Sequence, residues 1–149
     1  EHGVLAGYPL VGLHAILTDG SYHDVDSNEL SFKMAARLAY KAGIPQANPC
    51  ILEPLGIMKV YVPDSCMGDV IGDLNKRRGR ILGMNPTESG EQEVVAEVPM
   101  AEVSSYAITL RSITQGRGWF TYKFERYEEA PPAVQQKVIE ESKFVDEEE

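Results

Sequence analysis

Between Leu55 and Tyr127 the apolar period switches between two and 3.6 in the order strand, helix, strand, strand, helix, strand, and few folds accept that order. Ile57 to Val62 reads as a strand. Pro63-Asp64-Ser65 opens a helix whose Met67, Val70, Ile71 and Leu74 share one face, and Gly79 ends it. Arg80 to Asn85 is a second strand, Glu88-Ser89-Gly90-Glu91 a turn, and Gln92 to Val98 a third strand. Pro99 then opens a helix carrying Val103, Tyr106, Leu110 and Ile113, which Gly116 stops. In the last strand, Trp119 to Tyr127, Phe120, Tyr122 and Phe124 fall on the expected core face, and Trp119, Thr121 and Lys123 on the other. The expected architecture is α+β: a split βαβ, or ferredoxin-like, βαββαβ sandwich with two helices on one face of a four-stranded antiparallel sheet.

The flanks are less complete. Tyr8 to Thr18 alternates but is apolar on both sides, which predicts a strand buried on both faces, ended by Asp19-Gly20. After the loop Gly20-Ser-Tyr-His-Asp-Val-Asp-Ser27, Asp26-Ser27-Asn28-Glu29 offers a capping side chain with a glutamate, and Leu30, Met34, Leu38 and Ala42 recur at helical spacing up to Gly43. Ile44-Pro45 breaks that helix, and residues 49–54 read as a short strand between prolines. A strand, a helix and a strand leave both layers without partners, so we expect in residues 1–54 an apolar surface or unpaired edge available for dimerisation or disorder. The chain opens Glu1-His2-Gly3 without a methionine, from which we expect a processed product or an excised fragment. The expected division is 1–54, 55–130, and a third segment, 131–149, with an acidic helix from Ala133 to Lys143 and a solvated tail of Asp146 and three glutamates.

The net charge of −9 argues against a polyanion partner until its distribution is considered: residues 127–149, with eight carboxylates against two lysines, carry −6 of it. Elsewhere Lys76, Arg77, Arg78 and Arg80 form a basic knot at a predicted helix C-terminus, where cations also suit the helix dipole. Arg117 sits on the glycine-flanked turn after Gln115, with Arg111 and Ser112 on the helix before it, as a second basic point facing the same polyanion. Cys50 and Cys66 match no disulfide or zinc spacing, which fits a reducing cytoplasm. Cys66 falls in a helix's first turn, where a small buried apolar residue and an activated thiol compete as readings. Asp19, His23, Asp24, Asp26 and Glu29 resemble metal ligands, but an EF-hand register starting at Asp24 puts Glu29 at the obligatory glycine and Ala35 at the bidentate glutamate. No G-x-x-x-x-G-K-[ST] loop is present, and no apolar run approaches the length of a membrane span. No catalytic residue, bound cofactor, metal or membrane partner is expected for this chain.

GSYHDVDS (20–27), NPCILEP (48–54), MGDVIGDLNKRRGRILGM (67–84) and LRSITQGRG (110–118) together resemble the C-terminal part of translation elongation factor G, in that family's order and nearly its spacing. The resemblance implies that residues 1–54 are the end of a ribosomal-S5-domain-2-like tip domain (domain IV) and 55–130 the following ferredoxin-like domain (domain V). It implies a cytoplasmic translational GTPase acting in tRNA–mRNA translocation, with GTP and magnesium held in a domain outside this chain. Its partners would be the ribosome, through 16S and 23S rRNA, and the tRNA–mRNA duplex. By the same resemblance Gly20, Ser21, Tyr22, His23, Asp24, Asp26 and Ser27 form the tip loop that enters the decoding site, His23 matching the position that the eukaryotic and archaeal counterpart modifies to diphthamide. Lys76, Arg77, Arg78, Arg80, Arg111, Ser112, Gln115 and Arg117 would contact large-subunit RNA. Gly56 and Trp119 depart from the family's pattern and point to an elongation-factor-G-like paralogue; recycling and ribosome-protection relatives are further options. From other classes, a small-molecule-sensing ferredoxin-like domain and a metal or thiol enzyme are the competing readings. A loop of short hydrogen-bonding side chains with one imidazole suits contact with RNA hydroxyls and phosphates without bond chemistry.

Overall fold

A computed structural model describes residues 2–142; Lys143, Asp146 and the terminal glutamates lie outside the described residues. The chain divides into two compact units, residues 52–129 and residues 1–51 with 130–149.

In the first unit, β1 (Leu52–Val62), β2 (Arg80–Pro86), β3 (Gln92–Pro99) and β4 (Trp119–Glu129) form one antiparallel sheet in the order β2-β3-β1-β4. The helices of this unit are α2 (Met67–Lys76) and α3 (Tyr106–Thr114), so the βαββαβ expectation holds. Two details differ. The short strand expected at 49–54 and the one expected at 57–62 are a single 11-residue strand, because Glu53 to Leu55 find ladder partners in Glu128 to Arg126. The helix expected from Pro99 is a 3-10 turn at Met100–Glu102, followed by α3 only from Tyr106.

Alternation sorts the sheet. Met58, Val60, Val62, Val94, Ala96 and Val98 point to the helical side and are fully buried against Val70, Leu74, Tyr106 and Leu110. Each valine, leucine or methionine among them contributes about 1.5–3 kcal/mol by leaving water. Phe120 and Tyr122 join this core as expected, whereas Phe124 stays half exposed and packs on Tyr127, beside the register shift at Leu55/Gly56. Gly56 is explained here: a β-carbon on it would fall 2.4 Å from the Tyr122 ring, whose hydroxyl donates to Val98 O at 2.9 Å. Cys66 is buried at the head of α2, with its sulfur 3.9 Å from Ile113 O, and behaves as a small core residue.

The second unit is built differently. Here α1 (Glu29–Gly43) forms as the apolar period requires, capped by Asn28, whose side chain accepts from Ser31 N at 2.9 Å, rather than by Asp26. The strand expected over residues 8–18 does not form: apart from a bridge between His2 and Pro9 no ladder runs there, and Leu17 is 92% exposed. A segment apolar on both faces becomes a strand only between neighbours that satisfy its backbone, and beyond that bridge none of the described residues forms a ladder with it. Consequently α1 buries no residue, and Leu30, Phe32, Met34 and Leu38 all remain exposed. The last helix, α4 (Pro132–Glu141), follows Ala130, whose amide donates to Ile51 O at 2.9 Å, and Gln135 caps Ile51 N at 3.0 Å.

Candidate nucleic-acid interface

Residues 20–27 form an exposed turn tied down by its own backbone. Ser27 Oγ accepts from His23 N at 2.7 Å while Ser27 N donates to His23 O at 2.9 Å, and Asp26 O accepts from Ser31 Oγ at 2.7 Å. Ser27 is therefore a brace. Gly20 N is met by Asp19 Oδ1 at 2.7 Å, so the loop entrance is braced too. Ser21, Tyr22, His23, Asp24 and Asp26 project from this frame into solvent. Val25, at the crest of the turn and 90% exposed, belongs with them; sequence reasoning passed over it because an apolar residue in a polar run carries no motif. Among the described residues no three metal-binding side chains converge.

The basic knot separates into two kinds of residue. Arg77 is turned inward: Nε donates to Asp73 at 2.8 Å, Nη1 to Glu102 O and Ser105 Oγ at 2.9 Å each, and Nη2 to Thr109 at 2.8 Å, with the guanidinium over the Tyr106 ring. Arg78 makes a bidentate pair with Glu53 at 2.9 Å on both arms, which raises its pKa further, and it stays partly exposed. It holds this pose from a left-handed backbone, φ 59°, at the end of α2. Arg77 and Arg78, expected as phosphate grips, are held by partners within the chain, tying α2 to α3 and to β1. Lys76 and Arg80 remain exposed, Arg80 with one arm 3.4 Å from Glu97.

At the other basic point Gln115 and Gly116 both adopt positive φ, and Gly116 N closes on Arg111 O at 2.9 Å. A β-carbon on Gly118 would strike Thr114, whose hydroxyl accepts from Gly118 N at 2.9 Å, so the two glycines of the QGRG turn are required by geometry. Arg111, Ser112, Gln115 and Arg117 are left at the surface. The helices run antiparallel, with Arg77 bonded beside the start of α3 and Cys66 beside its end. Lys76 closes α2 and Arg117 follows the end of α3, so these two lie at opposite ends of the helical layer; Arg111 lies mid-way along α3, and Arg80, paired with Glu97, belongs to the sheet's open face.

On the sheet's open face Glu97 lies between Arg126, at 2.8 and 3.1 Å, and Arg80; the Arg126 hydrogen bond holds its carboxyl below the usual range. Tyr61 donates to Glu93 at 2.8 Å, which raises the phenol's pKa and lowers that of the carboxyl.

Two family models match this chain: "Elongation factor G, domain IV" over residues 1–48 and "Elongation factor G C-terminus" over residues 50–138. The chain belongs to the elongation factor G family. An elongation factor G-like protein of Thermotoga maritima is 52% identical over 141 residues, which are 95% of this chain and 21% of that protein. A crystal structure from Thermus thermophilus superposes with a TM-score of 0.78 at 47% identity, over 94% of this chain and 21% of that one. The chain therefore spans about a fifth of the length of each of these two relatives. The junction of the two family models, between residues 48 and 50, lies close to the division at Ile51/Leu52 and a few residues before the expected one after Pro54.

Proposed function

We propose that this chain is the ribosome-contacting part of a cytoplasmic translational GTPase of the elongation factor G or G-like group, acting in tRNA–mRNA translocation. The observation that carries the reading is the loop 20–27, a turn braced by Ser27 that presents the side chains of Tyr22, His23 and Asp24 with no partner among the described residues. Such a turn can enter a shallow RNA groove without first unfolding. Lys76 at the end of α2, Arg80 at the start of β2, and Arg111, Ser112, Gln115 and Arg117 along and just beyond α3 supply salt-dependent anchoring to large-subunit RNA. The loop's partners are small-subunit RNA and the tRNA–mRNA duplex. The chain itself does no bond chemistry; GTP and magnesium belong to the GTPase domain of a parent polypeptide. The G-like assignment is supported by the name of the Thermotoga relative and by Gly56 and Trp119. We further infer that the isolated chain self-associates at high concentration through the exposed apolar residues of α1.

Co-sedimentation with ribosomes tests the reading. Binding should be weak and should fall steeply as salt rises. Arg117→Glu with Lys76→Glu should reduce it at least tenfold at low salt, and binding indifferent to both salt and these changes would refute the proposal.

A further inference from the structure

The open face of the sheet carries a feature that none of the contacts above uses. Tyr61 and Trp119 are register partners on β1 and β4, and their rings stack with centroids 4.1 Å apart and planes 17° from parallel. Because β4 is an edge strand, Tyr61 covers the indole from the sheet's interior side, and Trp119 stays 51% exposed. The stack is held in place: Glu93 accepts the Tyr61 hydroxyl and receives Asn85 at 3.4 Å. Register places Lys59 opposite Thr121 and Lys123 opposite Ile57 on the same face, both lysines exposed. Glu97, the next carboxylate along, is already neutralised by Arg126 and Arg80. The face thus offers a rigid half-open π surface followed by two accessible cations, while its carboxylates are engaged with partners of their own.

A flat aromatic surface beside cations fits an unpaired base and its phosphates, since every base has a π face and a duplex keeps its bases stacked inside. The charged side chains that flank the stack, Lys59, Lys123, Glu93 and Glu97, make the face a poor match for an apolar protein partner. We propose that this open sheet face is a platform for a single-stranded RNA segment, one base stacking on the exposed side of Trp119 and the adjoining phosphates meeting Lys123 and Lys59. The choice of RNA rests on the ribosomal reading above; the stacking does not.

Trp119 is the chain's one tryptophan, so its fluorescence reports the site directly. The full chain is titrated with single-stranded hexa-adenylate and hexa-uridylate, a duplex of equal length, the matching single-stranded DNA, and polyphosphate. Quenching by the single-stranded RNAs is expected at about 10⁻⁶–10⁻⁴ M in low salt. Anisotropy of labelled oligomer should show Trp119→Phe binding within about threefold of wild type, Trp119→Ala losing about fivefold to a hundredfold, and Lys123→Ala reducing the salt slope by about 0.7. Absence of quenching, equal quenching by duplex or polyphosphate, or wild-type affinity in Trp119→Ala would overturn the proposal, and equal affinity for the DNA would overturn its assignment to RNA. If oligomer binding fails while ribosome sedimentation persists, this platform falls and the ribosomal reading stands; the reverse result rejects the ribosomal reading alone.

Discussion

Residues 52–129 and residues 1–51 come from one chain with similar local signals, yet only the first converts them into a core. Both carry strongly periodic helices: α2 buries Val70 and Leu74 completely, whereas α1, half as long again, buries nothing. The difference lies in the sheet. Around α2 and α3 four strands satisfy one another's backbones and present a continuous apolar face; beside α1 no ladder forms, and residues 11–20 are exposed throughout. Helical amphipathicity thus specifies what a helix can cover, while burial needs a second layer that local sequence does not supply.

That contrast can be broken by mutation. The largest effect is expected from Leu74→Ala, which opens a cavity in a fully buried site and should cost about 2–5 kcal/mol, whereas Leu38→Ala on α1 should stay within about 0.5 kcal/mol; urea unfolding followed by far-UV circular dichroism, which reports the helices of both units, measures both. Equal effects at the two positions would show that α1 packs in solution as α2 does. Next comes Arg78→Ala. It strands Glu53 without its bidentate partner in a half-buried setting, and we expect a loss of about 1–3 kcal/mol in the same assay, with ribosome binding at saturating protein unchanged. A fall in ribosome affinity with unaltered stability would return Arg78 to the interface.

The smallest effect is a pH dependence. Glu97, held below its usual 4.5 by Arg126, binds its proton less readily folded than unfolded, so its contribution to stability is present above about pH 4.5 and drains away as pH falls through the lowered folded value. Glu93 acts in the same direction through Tyr61. Unfolding midpoints between pH 3 and 6 should fall on acidification, and Arg126→Met should flatten that fall; an unchanged slope in the variant would mean that the Arg126 contact does not persist in solution.

The βαββαβ order, the faces of α2 and the core roles of Phe120 and Tyr122 were legible because each depends on local period and turn chemistry. What was hidden depends on distance. Asp73, four residues before Arg77, was a partner that local spacing could have shown, but the other partners of Arg77 and Arg78, Glu102, Ser105, Thr109 and Glu53, lie 25 to 32 positions away in sequence. Gly56 read as an oddity until Tyr122 was seen to occupy its side-chain space. In the loop 20–27 the brace by Ser27 follows from ordinary turn chemistry, but which side chains it would free did not. Lys59 and Tyr61 could have been found, since the alternation of Ile57 to Val62 already places both opposite the core.

One pairing in the sheet has an engineering meaning. Leu52, where β1 begins, lies directly across from Glu129, where β4 ends, so the polypeptide enters and leaves residues 52–129 at a single corner. A segment of that kind is a cassette: its two ends can be joined by a short linker and new termini cut at the Glu88–Gly90 turn, giving a circular permutant that should retain the sheet.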